Sequence, residues 1–456
     1  GAGFIFFIAI LPLAVNIRFD YFNLARIIPC TSSATVAKVT CFESIFPGHK
    51  LLRSIGSAVE RIDIADTGEN FLLYFLAGAM ADIIRPYPAS YYMLDARIPA
   101  GIVKPGAKIL TMGIGSEGAA KVIQAHGGKN ITSVEINPEV VRLWRDDQEI
   151  KAYAFDPFRD ARLILMDGRT FLETTSATFD LITLFNTRRG QDIRIFEEPN
   201  FLHTKESFLS IWRKLTSDGI FLIDERYFDN ASLEAIGRII RTISAALREN
   251  GIEKPEEHII VYEWVAYRQN QPIENAGQWE KTQLRYIEIL VKREPWQAGD
   301  ALRLKEWGIK AGKPENHHIP PIAMVFSQWF WIPGTSSNIA PGGREEILLQ
   351  AIHNNPPAPD EILTDNRPSP VGFSVVVPRE FFSSLAFFGL ILGGALVWLL
   401  WYTRRYFSGA HAMYSARYLL PVYFMLIGFG FMAIEIAFIQ RLQLYLGSVS
   451  ASVIVT

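Results

Sequence analysis

The chain has 456 residues, a formal net charge of −2 and an apolar fraction of 49%. That length accommodates two or three domains, and the lack of any global basic surface excludes nucleic acid as a partner class. Two cysteines, Cys30 and Cys41, make neither a disulfide framework nor a zinc pattern, and the histidines are scattered, so no metal site is expected.

In chain order, the first residues are almost wholly apolar, and 1–17 reads as the end of a transmembrane helix. Residues 36–90 alternate short β-like segments with turns and predict a small β-domain. Its segments are Val36–Phe42, Val59–Ala65 and Phe71–Leu76, the last two joined by the hairpin-type turn Asp66-Thr67-Gly68-Glu69-Asn70. Across 100–292 strands and helices alternate, which predicts a parallel α/β sheet. The predicted strands are Ile109–Met112, Ile131–Ile136, Arg162–Leu165, Leu181–Leu184, Ile220–Ile223, Ile259–Tyr262 and Tyr286–Val291. Leu233, Ile236, Ile240, Ile243 and Leu247 recur at helical spacing over Ser232–Asn250, with Gly251 as the C-terminal stop.

Residues 293–378 are rich in Pro, Gly, Asn and Trp and are expected to be irregular. Within them Ser327-Gln328-Trp329-Phe330-Trp331 reads either as a packed loop or as an aromatic cluster at a membrane interface. Residues 381–402 hold an uncharged run, Phe381–Tyr402, long enough to cross a bilayer at about 33 Å as a helix. A second such run, 418–440, is interrupted by Glu435, and 446–456 reads as the start of a further transmembrane helix. The chain is therefore expected to be part of an integral membrane protein, with the lipid bilayer and other membrane-protein subunits as partners. A carboxylate in lipid is costly and faces a partner or a cavity, which makes Glu435 a candidate functional residue. Arg404, Arg405 and Arg417 lie between the two C-terminal runs, while Arg18, Arg26, Arg379 and Arg441 flank the other side, so the arginines leave the orientation open.

The most informative stretch is Lys108–Pro138. An apolar strand runs into Gly113-Ile114-Gly115-Ser116-Glu117-Gly118, a helix follows, and a second strand ends near Glu135. Glycine permits positive φ and close approach to a ligand, and the helix N-terminus offers unpaired N–H groups. Glu135, about 20 residues on, is placed to accept from both hydroxyls of a ribose. Alternatively it is a solvated acid at a strand end. The turn alone serves NAD and S-adenosylmethionine equally. The continuation Met166-Asp167-Gly168 helps to choose, because an acid after the third strand can bond an adenine amino group, although Asp167 can also simply cap the helix that follows it.

This series of motifs resembles the spermidine synthase family and its membrane-embedded relatives. The resemblance covers roughly residues 36–292, and Leu363-Thr364-Asp365-Asn366-Arg367-Pro368 and the Glu435 helix resemble features of the membrane branch. It implies a Rossmann-like methyltransferase sheet with a small N-terminal β-domain, plus transmembrane helices. It also implies S-adenosylmethionine or decarboxylated S-adenosylmethionine as cofactor, held by Gly113, Gly115, Glu135, Asp167 and Gly168. Glu117 departs from the pattern, standing where the family has another turn glycine.

The residues that the resemblance would assign to the reaction are absent. The family has an acid at the tip of the fourth strand, whereas this chain reads Leu184-Phe185-Asn186-Thr187, and phenylalanine accepts no proton. The family's Leu-Asp-Gly appears as Leu76-Ala77-Gly78, and its Tyr-His-Glu as Tyr91-Tyr92-Met93. Arg188 and Arg189 follow, the wrong sign for a polyamine. No catalytic residue is assigned, and spermidine synthesis itself is not expected. Three functions compete. The first is a catalytically degenerate scaffold or accessory subunit of a membrane complex, in a bacterial inner membrane. The second is a membrane-anchored S-adenosylmethionine-dependent transferase acting on a non-polyamine acceptor, with its domain in the cytoplasm. The third, an NAD-linked oxidoreductase, lacks an identifiable catalytic pair.

Overall fold

The computed structural model describes residues 50–55, 62–68, 71–76, 79–116, 118–185, 200–227, 230–268, 284–313, 322–334, 344–353, 357–358, 361–366 and 428. All but the last belong to one compact unit, Gly1–Arg189 with Asn200–Pro368. The apolar runs at 1–17, 381–402, 418–440 and 446–456, and Glu435 with them, lie outside the described residues. Among the described residues no helix is long and apolar enough to cross a membrane.

A small antiparallel sheet comes first, in the order β1 (Lys50–Ile55), β2 (Ile62–Asp66), β3 (Leu72–Leu76), β4 (Ala79–Ile84). The β2–β3 hairpin pairs Asp66 with Leu72. In its turn the Gly68 N–H donates to Asp66 Oδ1 at 2.9 Å while Gly68 takes φ +72°, a conformation that glycine adopts without steric cost.

The large sheet is built from β5 (Lys108–Met112), β6 (Asn130–Glu135), β7 (Ala161–Leu165), β8 (Phe179–Leu184), β9 (Leu215–Tyr227), β10 (Ile259–Arg268), β11 (Leu284–Lys292) and β12 (Ile322–Trp331). Their spatial order is β12-β10-β11-β9-β8-β5-β6-β7. The order reverses between β5 and β8, and ligands of open α/β sheets bind at the carboxyl ends beside such a switch point. This is the Rossmann-like methyltransferase arrangement that the resemblance implies, with one correction to the reading of the strands. The sheet is mixed: β5, β6, β7, β8 and β9 are parallel, whereas β11 is antiparallel to both β9 and β10, and β12 to β10. Parallel neighbours need a crossover connection, usually helical, and no helical period separates Ile259–Tyr262 from Tyr286–Val291.

Helices cover both faces. They are α1 (Gly118–Ala125), α2 (Pro138–Asp146), α3 (Gln148–Tyr153), α4 (Gly168–Thr174), α5 (Lys205–Lys214), α6 (Asn230–Glu249), α7 (Ala298–Ala311) and α8 (Arg344–His353). The predicted stripe on α6 is buried, with Leu233, Ile236, Ile240, Ile243 and Leu247 packed against Leu110, Ile182, Phe221 and Ile289. Each such side chain contributes about 1.5–3 kcal/mol by leaving water. Gly251 (φ +84°) ends the segment. The opposite face of the sheet packs Ile109, Leu181, Leu222 and Tyr262 against Val122, Ile123, Leu304 and Trp307. A third cluster joins Ile62, Ile64 and Tyr74 of the small sheet to Val140, Leu143 and Trp144 of α2.

Residues 293–378 are not irregular throughout, for α7, β12 and α8 fall within them. Phe326 and Trp329 of β12 pack with Tyr262 and Trp307 at centroid distances of 5.3–6.4 Å. The aromatic cluster therefore sits on an edge strand packed against the core and not in a loop. Composition concealed this, because proline and glycine bracket the strand while its own residues suit a half-buried pleat. The α/β domain accordingly extends past residue 292.

Candidate nucleoside site at the carboxyl edge of the sheet

The turn after β5 is shaped by its glycines. Gly113 and Gly115 take φ +80° and +55°, and the Gly113 N–H donates to Val134 O at 3.0 Å, which ties the turn to β6. The Gly115 carbonyl accepts from Trp144 Nε1 at 3.0 Å, which fixes the far side of the turn against α2. Gly118 opens α1 with no room for a side chain, since a Cβ there would overlap the Arg97 guanidinium. Glu117, where a side chain would matter most, lies outside the described residues.

Glu135 is held against this turn. Its Oε2 accepts from the Ile114 N–H at 3.0 Å and its Oε1 from the Asn137 N–H at 2.8 Å. Only 9% of the residue is exposed, so the reading as a solvated strand-end acid does not hold. A carboxylate accepts about four hydrogen bonds, so these two do not exhaust it. Asn137 in turn caps α2, its side chain accepting from the Glu139 N–H, with Pro138 at the first helical position.

Asp167 fills the capping role that the sequence allowed it. Its Oδ1 accepts from the Thr170 N–H at 2.9 Å and from Thr170 Oγ1 at 3.1 Å, capping α4. Gly168 begins that helix, and a Cβ there would press on Met112 Sδ and Leu202 at 3.3 Å. Leu165 and Met166, at the end of β7, are exposed, and the Met166 N–H donates to Glu135 O at 3.0 Å. An apolar shelf thus lies beside the acid. The parts fit an adenosyl nucleoside: turn amides and Glu135 for the ribose, Met166, Asp167 and Gly168 for the base. Such a nucleoside bearing a sulfonium would supply an electrophilic carbon for group transfer.

Segment 363–366 docks beside α4 and α5. Thr204 Oγ1 donates to Asp365 Oδ1 at 2.7 Å, the Asp365 N–H donates to Glu206, and Arg169 lies 3.7 Å from Asp365.

At the tip of β8 the Phe185 N–H donates to Met112 O at 3.2 Å, so Phe185 sits level with the start of the glycine turn. Its ring is 2% exposed and belongs to the apolar cluster of Leu181, Leu222 and Tyr262. No proton acceptor stands at that position. Tyr92 is buried, whereas Tyr91 and Met93 are each 47% exposed, with Tyr91 stacked on Tyr87 at 5.3 Å. Ala77, Gly78, Asn186, Thr187, Arg188 and Arg189 lie outside the described residues. Among the described residues no group of three His, Cys, Asp or Glu is arranged to hold a metal ion.

Sequence reasoning missed a buried polar group on the same sheet face as Phe185. Arg97 pairs bidentately with Asp95 at 2.8 and 3.0 Å, both side chains being almost wholly buried. Glu288, on the central strand β11, is also buried, its Oε1 accepting from Trp264 Nε1 at 2.7 Å. Asp224, at the end of β9, is its register partner. The available signal was a charged residue inside the apolar run Tyr286–Val291, together with an acid directly after Ile220–Ile223.

No family model matches the chain. The polyamine aminopropyltransferase of Korarchaeum cryptofilum is 28% identical over 206 residues, covering 44% of this chain and 60% of that one. That of Thermoplasma acidophilum is 26% identical over 175 residues, covering 38% and 61%. The chain thus spans about three fifths of the length of the curated relatives it matches. Among solved structures, a probable spermidine synthase from Corynebacterium glutamicum aligns with a TM-score of 0.39 at 16% identity, covering 60% of this chain and 90% of that one. Spermidine synthase from Thermotoga maritima gives 0.38 at 15% identity, covering 55% and 74%. Over the residues matched, the chain is similar to curated polyamine aminopropyltransferases.

Proposed function

We propose that this chain is a membrane-anchored relative of the aminopropyltransferases whose α/β domain binds S-adenosylmethionine or its decarboxylated form. Aminopropyl transfer through an acid at the tip of β8 is not part of its chemistry. The observation that carries nucleoside binding is the buried Glu135 carboxylate, held at 3.0 Å against the Ile114 N–H of the glycine turn. Burying a carboxylate is expensive unless it is hydrogen-bonded, and a ribose would add bonds to a group already oriented for it. The names of the curated relatives add a polyamine and an aminopropyl group as the substrate classes to test first.

Anchoring in a bacterial inner membrane is supported by the uncharged run 381–402 and by 418–440. The bilayer and other membrane subunits are the partners that follow. A second reading, a degenerate scaffold with an empty pocket, is favoured by Phe185, whose buried ring stands where the family has its acid. Calorimetry separates the two. The first reading expects micromolar binding of S-adenosylmethionine or its decarboxylated form, lost in Glu135→Ala. A folded chain that binds neither supports the scaffold.

A further inference from the structure

Leu363-Thr364-Asp365-Asn366 belongs to a motif that the nucleoside site leaves unused, and it returns to the α/β domain as a strap. Leu363 is fully buried. Its N–H donates to Thr242 Oγ1 of α6 at 3.0 Å, and its carbonyl accepts from the Lys205 N–H at the start of α5 at 2.8 Å. The Asp365 N–H donates to Glu206 Oε2 at 3.0 Å, and Asp365 Oδ1 accepts from Thr204 Oγ1 at 2.7 Å. Thr204 is itself buried and caps α5, its side chain accepting from the Ser207 N–H. One short segment thus binds both α5 and α6.

Two contacts connect this strap to the base half of the nucleoside site. Arg169, next to Gly168 in the first turn of α4, places Nη2 3.7 Å from Asp365 Oδ2 and 3.3 Å from Glu173 Oε1. Only 14% of that side chain is exposed, so solvent screens the attraction little. Leu202, two residues before Thr204, abuts Gly168, where a Cβ would stand 3.3 Å from Leu202 Cδ2. The far end of α4 is held separately, since Ser210 Oγ of α5 donates to Glu173 Oε1. Cutting the strap therefore leaves the body of α4 in place and frees its first turn, which follows Asp167 and begins at Gly168.

We propose that Asp365 is a positioning residue for the nucleoside site. Through Thr204 and Arg169 it fixes the segment 200–204 and the first turn of α4, and with them the groups offered to the base. The inference rests on the reading of that turn as part of a nucleoside site. Binding groups act only when held within about 0.5 Å of their productive geometry, and bonds to an ionised carboxylate are the strong ones for holding them. A tie that served stability alone would lower the melting temperature when cut and leave affinity unchanged.

The test is calorimetric titration of the full chain with methylthioadenosine, well below the melting temperature of each variant. Asp365→Ala is expected to weaken binding roughly fivefold, and Asp365→Asn, which keeps an oxygen for Thr204, to recover most of that loss. Glu361→Ala, which loosens the same segment at Arg241 of α6 instead, is expected to leave affinity unchanged. Arg169→Gln cuts the ion pair from its other end, weakens binding in the same direction, and serves if Asp365→Ala does not fold. Equal affinity in the wild type and the folded variants at Asp365 and Arg169 overturns the proposal. So does a loss in Glu361→Ala as large as that in Asp365→Ala. If methylthioadenosine does not bind the wild type, the nucleoside reading falls, and hydrogen exchange then decides whether Asp365 holds the turn. Faster exchange in Asp365→Ala over 168–172 and 200–204 supports that role, and unchanged exchange there removes it.

Discussion

The two halves of the candidate site are built on different principles. The nucleoside half is local: the turn Gly113–Gly118 and Glu135 arise within one strand–helix–strand unit, with the backbone supplying most of the contacts. The region beside Phe185 is assembled instead, with Asp224 and Glu288 brought near it only by the register of the sheet. A local unit survives sequence divergence as a recognisable motif. An assembled one can shift its charges from strand to strand and leave no motif behind. Lost acids at the expected positions therefore do not by themselves mean a lost site.

Mutations sharpen this contrast. The largest effect is expected for Phe185→Asp, which restores the family's residue type but places a carboxylate in an apolar cluster. The variant loses about 3–5 kcal/mol or more by denaturant titration. A variant as stable as wild type would show that position to be open to solvent rather than part of the core. Next is Glu135→Ala, which removes a charged acceptor and leaves two buried N–H groups unsatisfied. Each lost charge-assisted bond is worth about 1.5–3 kcal/mol, so nucleoside affinity falls by roughly a hundredfold.

Glu288→Gln probes the assembled half through pH. The folded carboxyl is raised above its unfolded value, first by burial and then by Asp224. Its contribution to stability is therefore complete below the ordinary glutamate range and is lost as pH rises toward the folded value. Wild-type stability should decline across that window. The glutamine variant, which needs no proton, should be flatter and more stable at neutral pH by about 1–3 kcal/mol. Parallel pH–stability curves for the two proteins would contradict the buried acid pair. The smallest effect is expected for Asp167→Ala, which removes the cap of α4 and costs about 1 kcal/mol. Nucleoside binding weakened far beyond that loss would show that Asp167 contacts adenine as well as capping the helix.

Much of the architecture was legible because it rests on short-range patterns. The strand at Ile109–Met112, the α6 stripe and the positive-φ glycines each follow from a few neighbouring residues. Two features were not legible. The antiparallel insertion of β11 between β9 and β10 is a matter of pairing, on which local alternation is silent. β12 lay in a segment whose proline and glycine content suggested loops, although Phe326 and Trp329 pack on Tyr262. Asp224 and Glu288 were hidden for the same reason as β11, since their proximity exists only once that pairing is known.

The central claim, that an adenosyl group binds against the glycine turn and Glu135, is tested most directly by saturation-transfer NMR with methylthioadenosine, which carries the base and ribose but no methionine tail. The account predicts transfer to the adenine and ribose protons in the wild type and its loss in Glu135→Ala. Absence of transfer in the folded wild type, or equal transfer in both proteins, would contradict it.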